Sequence, residues 1–233
     1  MVLDEAQLTT LTNLCERRQN GEPVAYITGV AEFWSMPFTV DQNVLIPRDD
    51  TGCLVEVALA LIKSVPTLGS VVDAGTGSGA VAIAFANETR IPVIATDFSA
   101  AALEVASINA ARLAPGLIHC VQTDWLNALA PSSVRLLLSN PPYIPANDPH
   151  LQALELQHEP ATALVSGADG LDDLRTLAKA APAVLVSGGA LALEHGFDQG
   201  EKVQALLHEA GLVDVATVQD LGGNDRVTHA KAL

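Results

Sequence analysis

The spacing of hydrophobic residues in this chain changes after Pro66. In the first twenty residues the leucines lie at helical intervals, at Leu3, Leu8, Leu11 and Leu14. Asn20 and Gly21 form a stop signal, so this pattern predicts a first helix that ends there. Between residues 24 and 47, glycine, proline and aspartate interrupt apolar stretches, which predicts short strands and a hairpin. Residues 49–65 predict a second helix.

Beyond Pro66, short apolar runs typical of strands alternate with longer stretches typical of helices. The predicted strands are residues 71–73, 93–97, 118–122, 134–139, 190–195, 213–220 and 226–233. The predicted helices between them are residues 79–87, 100–113, 172–186 and 199–210. Apolar strands interleaved with helices predict a mostly parallel sheet covered on both faces. The short link at residues 222–225 predicts that the last two strands pair as an antiparallel hairpin.

The pattern divides the chain of 233 residues into three parts. We expect a residual N-terminal helix over 1–20, a β-hairpin with a linking helix over 21–66, and a seven-stranded α/β domain over 67–233. The hydrophobic content of 49% is sufficient for a sizeable core. No apolar run reaches the roughly 18–20 residues that a membrane span needs, so no membrane association is expected.

Charge and cysteine content narrow the function classes. The formal net charge is −15, and such an acidic surface repels a phosphate backbone, so direct nucleic-acid binding is not expected. The three cysteines, at 15, 53 and 120, are isolated in sequence, which is typical of reduced thiols in the cytoplasm. The six histidines show no metal-ligand spacing, so no metal site is predicted.

A glycine-rich turn is predicted between the first strand and the first helix of the α/β domain. The run Gly75-Thr76-Gly77-Ser78-Gly79 allows close approach of the backbone to a ligand, and the helix that follows offers free N–H groups. Asp97 ends the next strand, where a carboxylate can accept both hydroxyls of a ribose. These features predict an adenine nucleoside cofactor and leave NAD and S-adenosylmethionine open.

Asp73, just before the first glycine, favours a cofactor with a cationic amino-acid end, because a carboxylate is poorly placed against a pyrophosphate. Asp124 and Trp125 close the third strand of the domain. We expect Asp124 to accept a hydrogen bond from an adenine amino group and Trp125 to form an apolar wall for the ring.

The deciding feature is Asn140-Pro141-Pro142-Tyr143, directly after the fourth apolar strand of the domain. Two consecutive prolines make this segment stiff and remove two backbone donors. The Asn140 side-chain oxygen and a proline carbonyl form a pair of acceptors for a planar –NH2 group. Such a pair localises the nitrogen lone pair and aims it at a methyl donor, while Tyr143 stacks on the flat substrate group. An NAD enzyme has no use for this arrangement, so the segment favours a methyltransferase.

Together, DAGTGSG (73–79), IATD (94–97), DW (124–125) and NPPYIP (140–145) resemble class I methyltransferases that modify exocyclic nitrogens. More narrowly, the chain resembles the HemK/PrmC protein-(glutamine-N5) methyltransferases. That resemblance runs from about residue 21 to the C-terminus, through the segments GEPVAYITGVAEFWSMPFTV (21–40), LIPRDDT (45–51), LQALELQHEPATALVSGADGLDDLR (151–175), ALEHG (192–196) and GGNDRV (222–227).

The resemblance implies a Rossmann-like fold that uses S-adenosyl-L-methionine and releases S-adenosyl-L-homocysteine. Its implied reaction is N5-methylation of the glutamine in the GGQ motif of peptide chain release factors, which makes a release factor the expected partner. It also implies that residues 75–79, Asp97 and Trp125 hold the cofactor, that residues 140–143 hold the substrate glutamine, and that the LIPR segment lies near the active site.

Two features depart from the family pattern. Gly52 stands where the family usually has an acidic residue, and we expect weaker closure over the site as a result. Only about twenty residues precede Gly21, whereas the family usually carries a longer helical N-terminal domain that helps to hold the release factor. Three alternatives therefore stay open: methylation of a ribosomal-protein glutamine, methylation of an exocyclic amine in nucleic acid, and a non-catalytic protein that binds S-adenosylmethionine.

Overall fold

The computed structural model describes residues 4–233, and Leu3 of the predicted first helix lies outside that range. Within it the α-helices are α1 (Glu5–Gln19), α2 (Val24–Thr28), α3 (Gly52–Leu61), α4 (Ala80–Thr89), α5 (Ala100–Leu113), α6 (Asp172–Val184) and α7 (Gly200–Glu209). The strands are β1 (Val30–Phe33), β2 (Met36–Thr39), β3 (Ser70–Ala74), β4 (Val93–Asp97), β5 (Ile118–Gln122), β6 (Val134–Ser139), β7 (Leu185–Glu194), β8 (Val213–Gln219) and β9 (Asp225–Lys231). Short 3-10 turns lie at Asp49–Thr51, Pro149–Gln152, Leu156–His158 and Ala161–Ala163.

Strands β3 to β9 form one sheet in the order β5-β4-β3-β6-β7-β9-β8. The first five strands in this order pair in parallel, and β9 is antiparallel to both of its neighbours. This arrangement confirms the predicted seven-stranded, mostly parallel sheet and the terminal hairpin. In that hairpin the second strand, β9, lies between β7 and β8.

Each face of the sheet has its own hydrophobic core. Because side chains alternate along a strand, Leu136 and Leu138 of β6 point to one face and Leu137 to the other. The first face packs against α3, α4, α5 and the β1–β2 hairpin. The second face packs against α6 and α7. The predicted helical cover on both faces is therefore confirmed.

Helix α1 has no buried residues, although its leucine spacing is that of an amphipathic helix. A capping box defines its start, because the Asp4 side chain accepts from the Gln7 backbone while the Gln7 side chain accepts from the Asp4 backbone. Its end at Gln19 confirms the predicted stop. Gly21 follows with a φ of 91°, and a Cβ there would lie 2.7 Å from the Cβ of Leu154.

The segment from residue 24 to residue 47 contains the predicted hairpin, β1 paired with β2, but its first part is helical. The extended structure expected for Val24–Thr28 was wrong. Pro23 begins this single turn and Gly29, in the left-handed region, ends it. The turn buries Tyr26, whose hydroxyl donates to the Val44 carbonyl at 2.6 Å. This tertiary contact favours a helical turn over a strand.

The predicted helix over 49–65 is a 3-10 turn followed by α3, which ends at Leu61. The end is four residues earlier than predicted, because residues 62–64 form turns; Pro66 disfavours helical backbone only in the residue directly before it. Gly52 begins α3 with helical φ and ψ of −56° and −32°. A Cβ at this position would meet the Trp34 ring at 3.6 Å, an ordinary contact. The side chain that Gly52 lacks would thus point toward the hairpin.

Replacement of Gly52 by alanine is expected to stabilise the protein, because glycine has no conformational role at this position. A helical glycine costs about 0.5–1 kcal/mol relative to alanine through its greater backbone entropy in the unfolded chain. Chemical denaturation should show an increase of that size in the free energy of unfolding. Gly29→Ala is the matched control: it should instead lower stability, since Gly29 has a φ of 73°. A loss of stability in Gly52→Ala would contradict the prediction.

The parallel strands bring their carboxyl ends to one edge of the sheet. Ala74, Asp97, Gln122, Ser139 and Glu194 end β3 to β7 at this edge. The loops that follow them carry the residues singled out in the sequence, and open α/β sheets bind ligands here.

Candidate functional site

The turn between β3 and α4 adopts the conformation that its glycines predict. Gly75, Gly77 and Gly79 have φ values of 74°, 54° and 84°. A Cβ on Gly75 would lie 3.0 Å from the ring of Trp125, whereas one on Gly77 would meet nothing within 4 Å. The turn therefore leaves the backbone at Gly77 open to a ligand, and Gly79 caps the N-terminus of α4.

Asp73 is buried at the end of β3, with 1% of its surface exposed. Its Oδ2 accepts hydrogen bonds from the Thr76 hydroxyl at 2.6 Å and from the Ala82 backbone N–H at 3.2 Å. Burial raises the pKa of this carboxyl to about 6, against the opposing effect of those two hydrogen bonds. A cation placed beside it would favour the carboxylate form.

Asp97 supports the glycine turn from the neighbouring strand. One carboxylate oxygen accepts from the Gly77 N–H at 3.0 Å and the other from the Ser99 N–H at 2.9 Å. The side chain is buried, and burial raises its pKa above the ordinary value. Each oxygen keeps a lone pair for a further donor, so Asp97 can bind hydroxyl groups while it holds the turn.

A cleft of about 590 Å³ brings most of the predicted site residues together. This volume lies within the range of about 300–1,000 Å³ that is typical of ligand sites. The predicted residues that line the cleft are Asp73, Gly75, Thr76, Gly77, Ser78, Asp97, Asp124, Trp125, Asn140 and Pro142. Gly79 is not part of this lining and caps the N-terminus of α4. Pro141 and Tyr143 line a smaller cavity next to the cleft.

Part of the cleft lining comes from residues outside the predicted glycine, DW and NPPY segments. The segment from Gln42 to Arg48 contributes to this lining together with Thr51, as do Pro160, Thr162, Ala163 and Val165. Arg48 forms an ion pair with Glu159, and the Glu159 carboxylate also accepts from the Ile46 N–H at 3.1 Å. The sequence signal for this part of the lining was the LIPRDDT resemblance, which places residues 45–51 near the active site.

Trp125 has a φ of 44°, an uncommon value for a residue with a side chain. Its ring backs Gly75 and packs against the second hydrophobic core. The ring thus borders the glycine turn as an apolar wall, and Asp124 beside it is exposed at the same side of the cleft.

Asn140 lies where the two cavities meet and lines both of them. Its Nδ2 donates to the Thr51 hydroxyl at 3.1 Å. This bond fixes the orientation of the side-chain amide and leaves its oxygen free as an acceptor. The Thr51 contact could not be found from spacing, because the two residues are 89 positions apart.

The smaller cavity, about 110 Å³, is lined by Pro141, Tyr143 and Glu194 among others. The Tyr143 hydroxyl donates to the Glu194 Oε1 at 3.3 Å. Burial raises the pKa of Glu194 to about 7, and burial also raises the pKa of Tyr143. The cavity thus combines a buried acid and a phenol with the apolar side chains of Leu45, Ile144, Leu156 and Leu164.

The histidines of the family-like segments hold the backbone in place. His195 is fully buried, with one ring nitrogen 2.8 Å from the Thr228 hydroxyl and the other 2.9 Å from the Gly196 carbonyl. His158 contacts the Asn20 carbonyl at 3.2 Å. Across residues 4–233 no group of three or more His, Cys, Asp or Glu side chains has the geometry of a metal site. In the same range no helix is both long and apolar enough to cross a membrane.

The strand order, the glycine turn and the acid that ends the next strand define a class I S-adenosylmethionine-dependent methyltransferase fold. The protein-family model of the methyltransferase small domain matches residues 55–169, and that of the PrmC N-terminal domain matches residues 1–29. A solved methyltransferase from Pyrococcus furiosus shares this fold, with a TM-score of 0.61 and 15% identity over 95% of this chain and all of that one.

Two curated relatives are more similar in sequence. The chain is 46% identical to the release factor glutamine methyltransferase of Escherichia coli (strain K12), over 97% of this chain and 81% of the relative. It is 51% identical to that of Xylella fastidiosa (strain 9a5c), over 92% of this chain and 78% of the relative. The chain therefore belongs to the release factor glutamine methyltransferase family, which confirms the resemblance seen in the sequence.

Proposed function

We propose that this protein transfers a methyl group from S-adenosylmethionine to the N5 nitrogen of the glutamine in the GGQ motif of a peptide chain release factor. The observation that carries the proposal is the orientation of Asn140, whose amide nitrogen donates to Thr51 and whose oxygen stays free where the two cavities meet. The names of the relatives, at 46% and 51% identity, support the same substrate.

The large cleft fits S-adenosylmethionine in size and in chemistry. Asp73, a buried carboxylate, would face the cationic amino-acid end, and Asp97 would accept from the ribose hydroxyls. The open backbone at Gly77 allows close approach, while Trp125 and Asp124 would border the adenine. When bound, S-adenosylmethionine supplies an electrophilic methyl group on a sulfonium.

The smaller cavity fits the flat end of a glutamine side chain. An amide nitrogen is a poor nucleophile because its lone pair is delocalised into the carbonyl group. The free oxygen of Asn140 and the carbonyl of Pro141 would accept hydrogen bonds from its two N–H groups and orient the lone pair toward the cleft. As the methyl group moves from sulfur to nitrogen, the sulfonium becomes the neutral thioether of S-adenosylhomocysteine, and the amide nitrogen then loses one proton to solvent. Tyr143 would cover the amide plane and exclude water.

Cofactor affinity is expected to fall at acidic pH because of Asp73. The folded-state pKa of this acid is about 6, so at pH 5 most molecules carry a neutral carboxyl group that cannot pair with the cofactor ammonium. Isothermal titration calorimetry should show binding about tenfold weaker at pH 5 than at pH 7.5, because a proton must first be released. Asp73→Asn should bind weakly with a much flatter pH profile, and an equally steep profile in that variant would assign the effect elsewhere.

The proposed function is tested by transfer of labelled methyl groups to an unmodified release factor. The parallel substrates are a release factor in which alanine replaces the GGQ glutamine, ribosomal proteins and bulk nucleic acid. We expect label on the unmodified factor alone. Label on ribosomal proteins or nucleic acid instead would replace the proposed substrate, and cofactor binding without transfer to any of them would indicate a non-catalytic protein.

We also propose a cytoplasmic location for this activity. The three cysteines are unpaired thiols, which agrees with that location.

A further inference from the structure

Glu194 is a buried acid that the chemistry proposed above does not use. It ends β7, is 1% exposed and lines the smaller cavity with Pro141 and Tyr143. Its Oε1 accepts from the Tyr143 hydroxyl, whereas its Oε2 has no hydrogen-bond partner. Burial of a carboxylate is costly, so an acid with a free oxygen beside the substrate segment is a candidate functional group.

Thr51 connects this acid with the other end of the same segment. The threonine is 4% exposed, and its Oγ1 accepts from the Asn140 Nδ2. A hydroxyl that accepts one hydrogen bond still has a proton to donate. The nearby acceptor that still lacks a partner is the Glu194 Oε2. The Thr51 hydroxyl is close enough to lower the pKa of that acid against the effect of burial, although the two groups form no hydrogen bond in this structure.

We propose that Glu194 is a positioning residue for methyl transfer: its Oε1 holds the Tyr143 hydroxyl, its Oε2 accepts a hydrogen bond from the Thr51 hydroxyl after a small side-chain rotation, and Thr51 holds the Asn140 amide with its oxygen toward the substrate. The inference rests on the proposed function, because the segment 140–143 must bind the substrate amide for its orientation to matter. Glu194 thereby acts at both ends of that segment.

The charged state of Glu194 depends on groups from several elements. Arg226 of β9 favours the carboxylate, and Asp50 of the 3-10 turn opposes it. Cys53 of α3 also faces it, and burial raises the pKa of that thiol to about 11, so it stays neutral near pH 7. Arg48 also lines the smaller cavity. With a pKa of about 7, Glu194 is partly protonated at neutral pH and fully ionised only above it.

The test compares Glu194→Gln, Thr51→Val, the double variant and Thr51→Ser in the complete protein. With release factor as substrate, Glu194→Gln and Thr51→Val should each lower kcat about tenfold or more, while the KM for S-adenosylmethionine changes little. The activity of the double variant should be close to that of the less active single variant, because both residues act through one connection. Thr51→Ser, which keeps the hydroxyl, should retain most activity, and Glu201→Gln, an exposed acid of α7, should be unchanged.

Two further measurements separate positioning from a merely structural role. At saturating cofactor, kcat/KM for the wild type should rise with pH through about 7, and Glu194→Gln should lack that rise. A raised folded-state pKa means that the ionised acid destabilises the fold at pH 8, so Glu194→Gln should have a Tm equal to or above that of the wild type there. Full activity in Glu194→Gln, additive losses in the double variant, or a lower Tm that accounts for the lost activity would overturn the proposal.

A readout without substrate distinguishes this proposal from the proposed function. The side-chain NH2 signals of Asn140, followed by NMR in the free protein, should shift in Glu194→Gln and in Thr51→Val but not in Glu201→Gln. If the wild type fails to methylate release factor while these signals respond as expected, the proposed substrate is wrong and the connection from Glu194 to Asn140 stands. If the Asn140 signals do not shift in Glu194→Gln, the connection from Glu194 to Asn140 is refuted, whatever the substrate.

Discussion

Replacement of Asn140 by alanine is expected to lower the methyl-transfer kcat by about 100-fold or more while cofactor binding changes little. The alanine removes the free amide oxygen at the junction of the two cavities and the donor that anchors the segment to Thr51. Loss of one preorganised polar contact to a reacting group costs about 10²–10³ in kcat in well-studied enzymes. Single-turnover transfer to release factor measures the rate, and calorimetry measures the affinity for S-adenosylmethionine.

The control for this variant is Asn147→Ala, in the same loop but exposed to solvent. It should transfer methyl groups at the wild-type rate. A Tm measurement on Asn140→Ala is also required, because the bond to Thr51 contributes about 0.5–1.5 kcal/mol to stability. An unchanged transfer rate in a folded Asn140→Ala protein would refute the acceptor pair of Asn140 and Pro141 as the group that binds the substrate amide.

Replacement of Asp97 by alanine is expected to weaken S-adenosylmethionine binding by about 10- to 100-fold. Hydrogen bonds to a charged group contribute about 1.5–3 kcal/mol, which corresponds to that range. The structure adds a second cause to the loss of ribose contacts, because the carboxylate also holds the N–H groups of Gly77 and Ser99. Calorimetry on the purified variant gives the dissociation constant directly.

Two comparisons isolate the role of the Asp97 charge. Asp97→Asn keeps an acceptor oxygen and should bind the cofactor with intermediate affinity, whereas Glu104→Ala, an exposed acid of α5, should bind as the wild type does. At cofactor concentrations that saturate Asp97→Ala, kcat should recover most of its value, since the defect lies in binding. Wild-type affinity in Asp97→Ala would exclude this carboxylate from the cofactor site.

The sequence was most informative where function depends on adjacent residues. Residues 75–79 and 140–143 are continuous segments in which glycines permit a tight turn and prolines stiffen the backbone. The strand and helix pattern predicted that each segment follows the end of a strand. The sheet was predictable for a similar reason, because strands buried on both faces are continuously apolar and contrast with the helices between them. The predicted extended structure was wrong at residues 24–28, where burial of Tyr26 favours a helical turn.

The sequence by itself thus determined the fold class, the family, and the two segments that meet at the carboxyl edge of the sheet. Only the tertiary structure decided which distant residues orient those segments. Thr51 reaches Asn140 across 89 positions, and Glu194 reaches Tyr143 across 51. Neither pair has a periodicity or a motif of its own, because each contact arises from tertiary packing and not from proximity along the chain. Hydrogen bonds and shifted pKa values depend on distance in space, which the linear pattern does not contain.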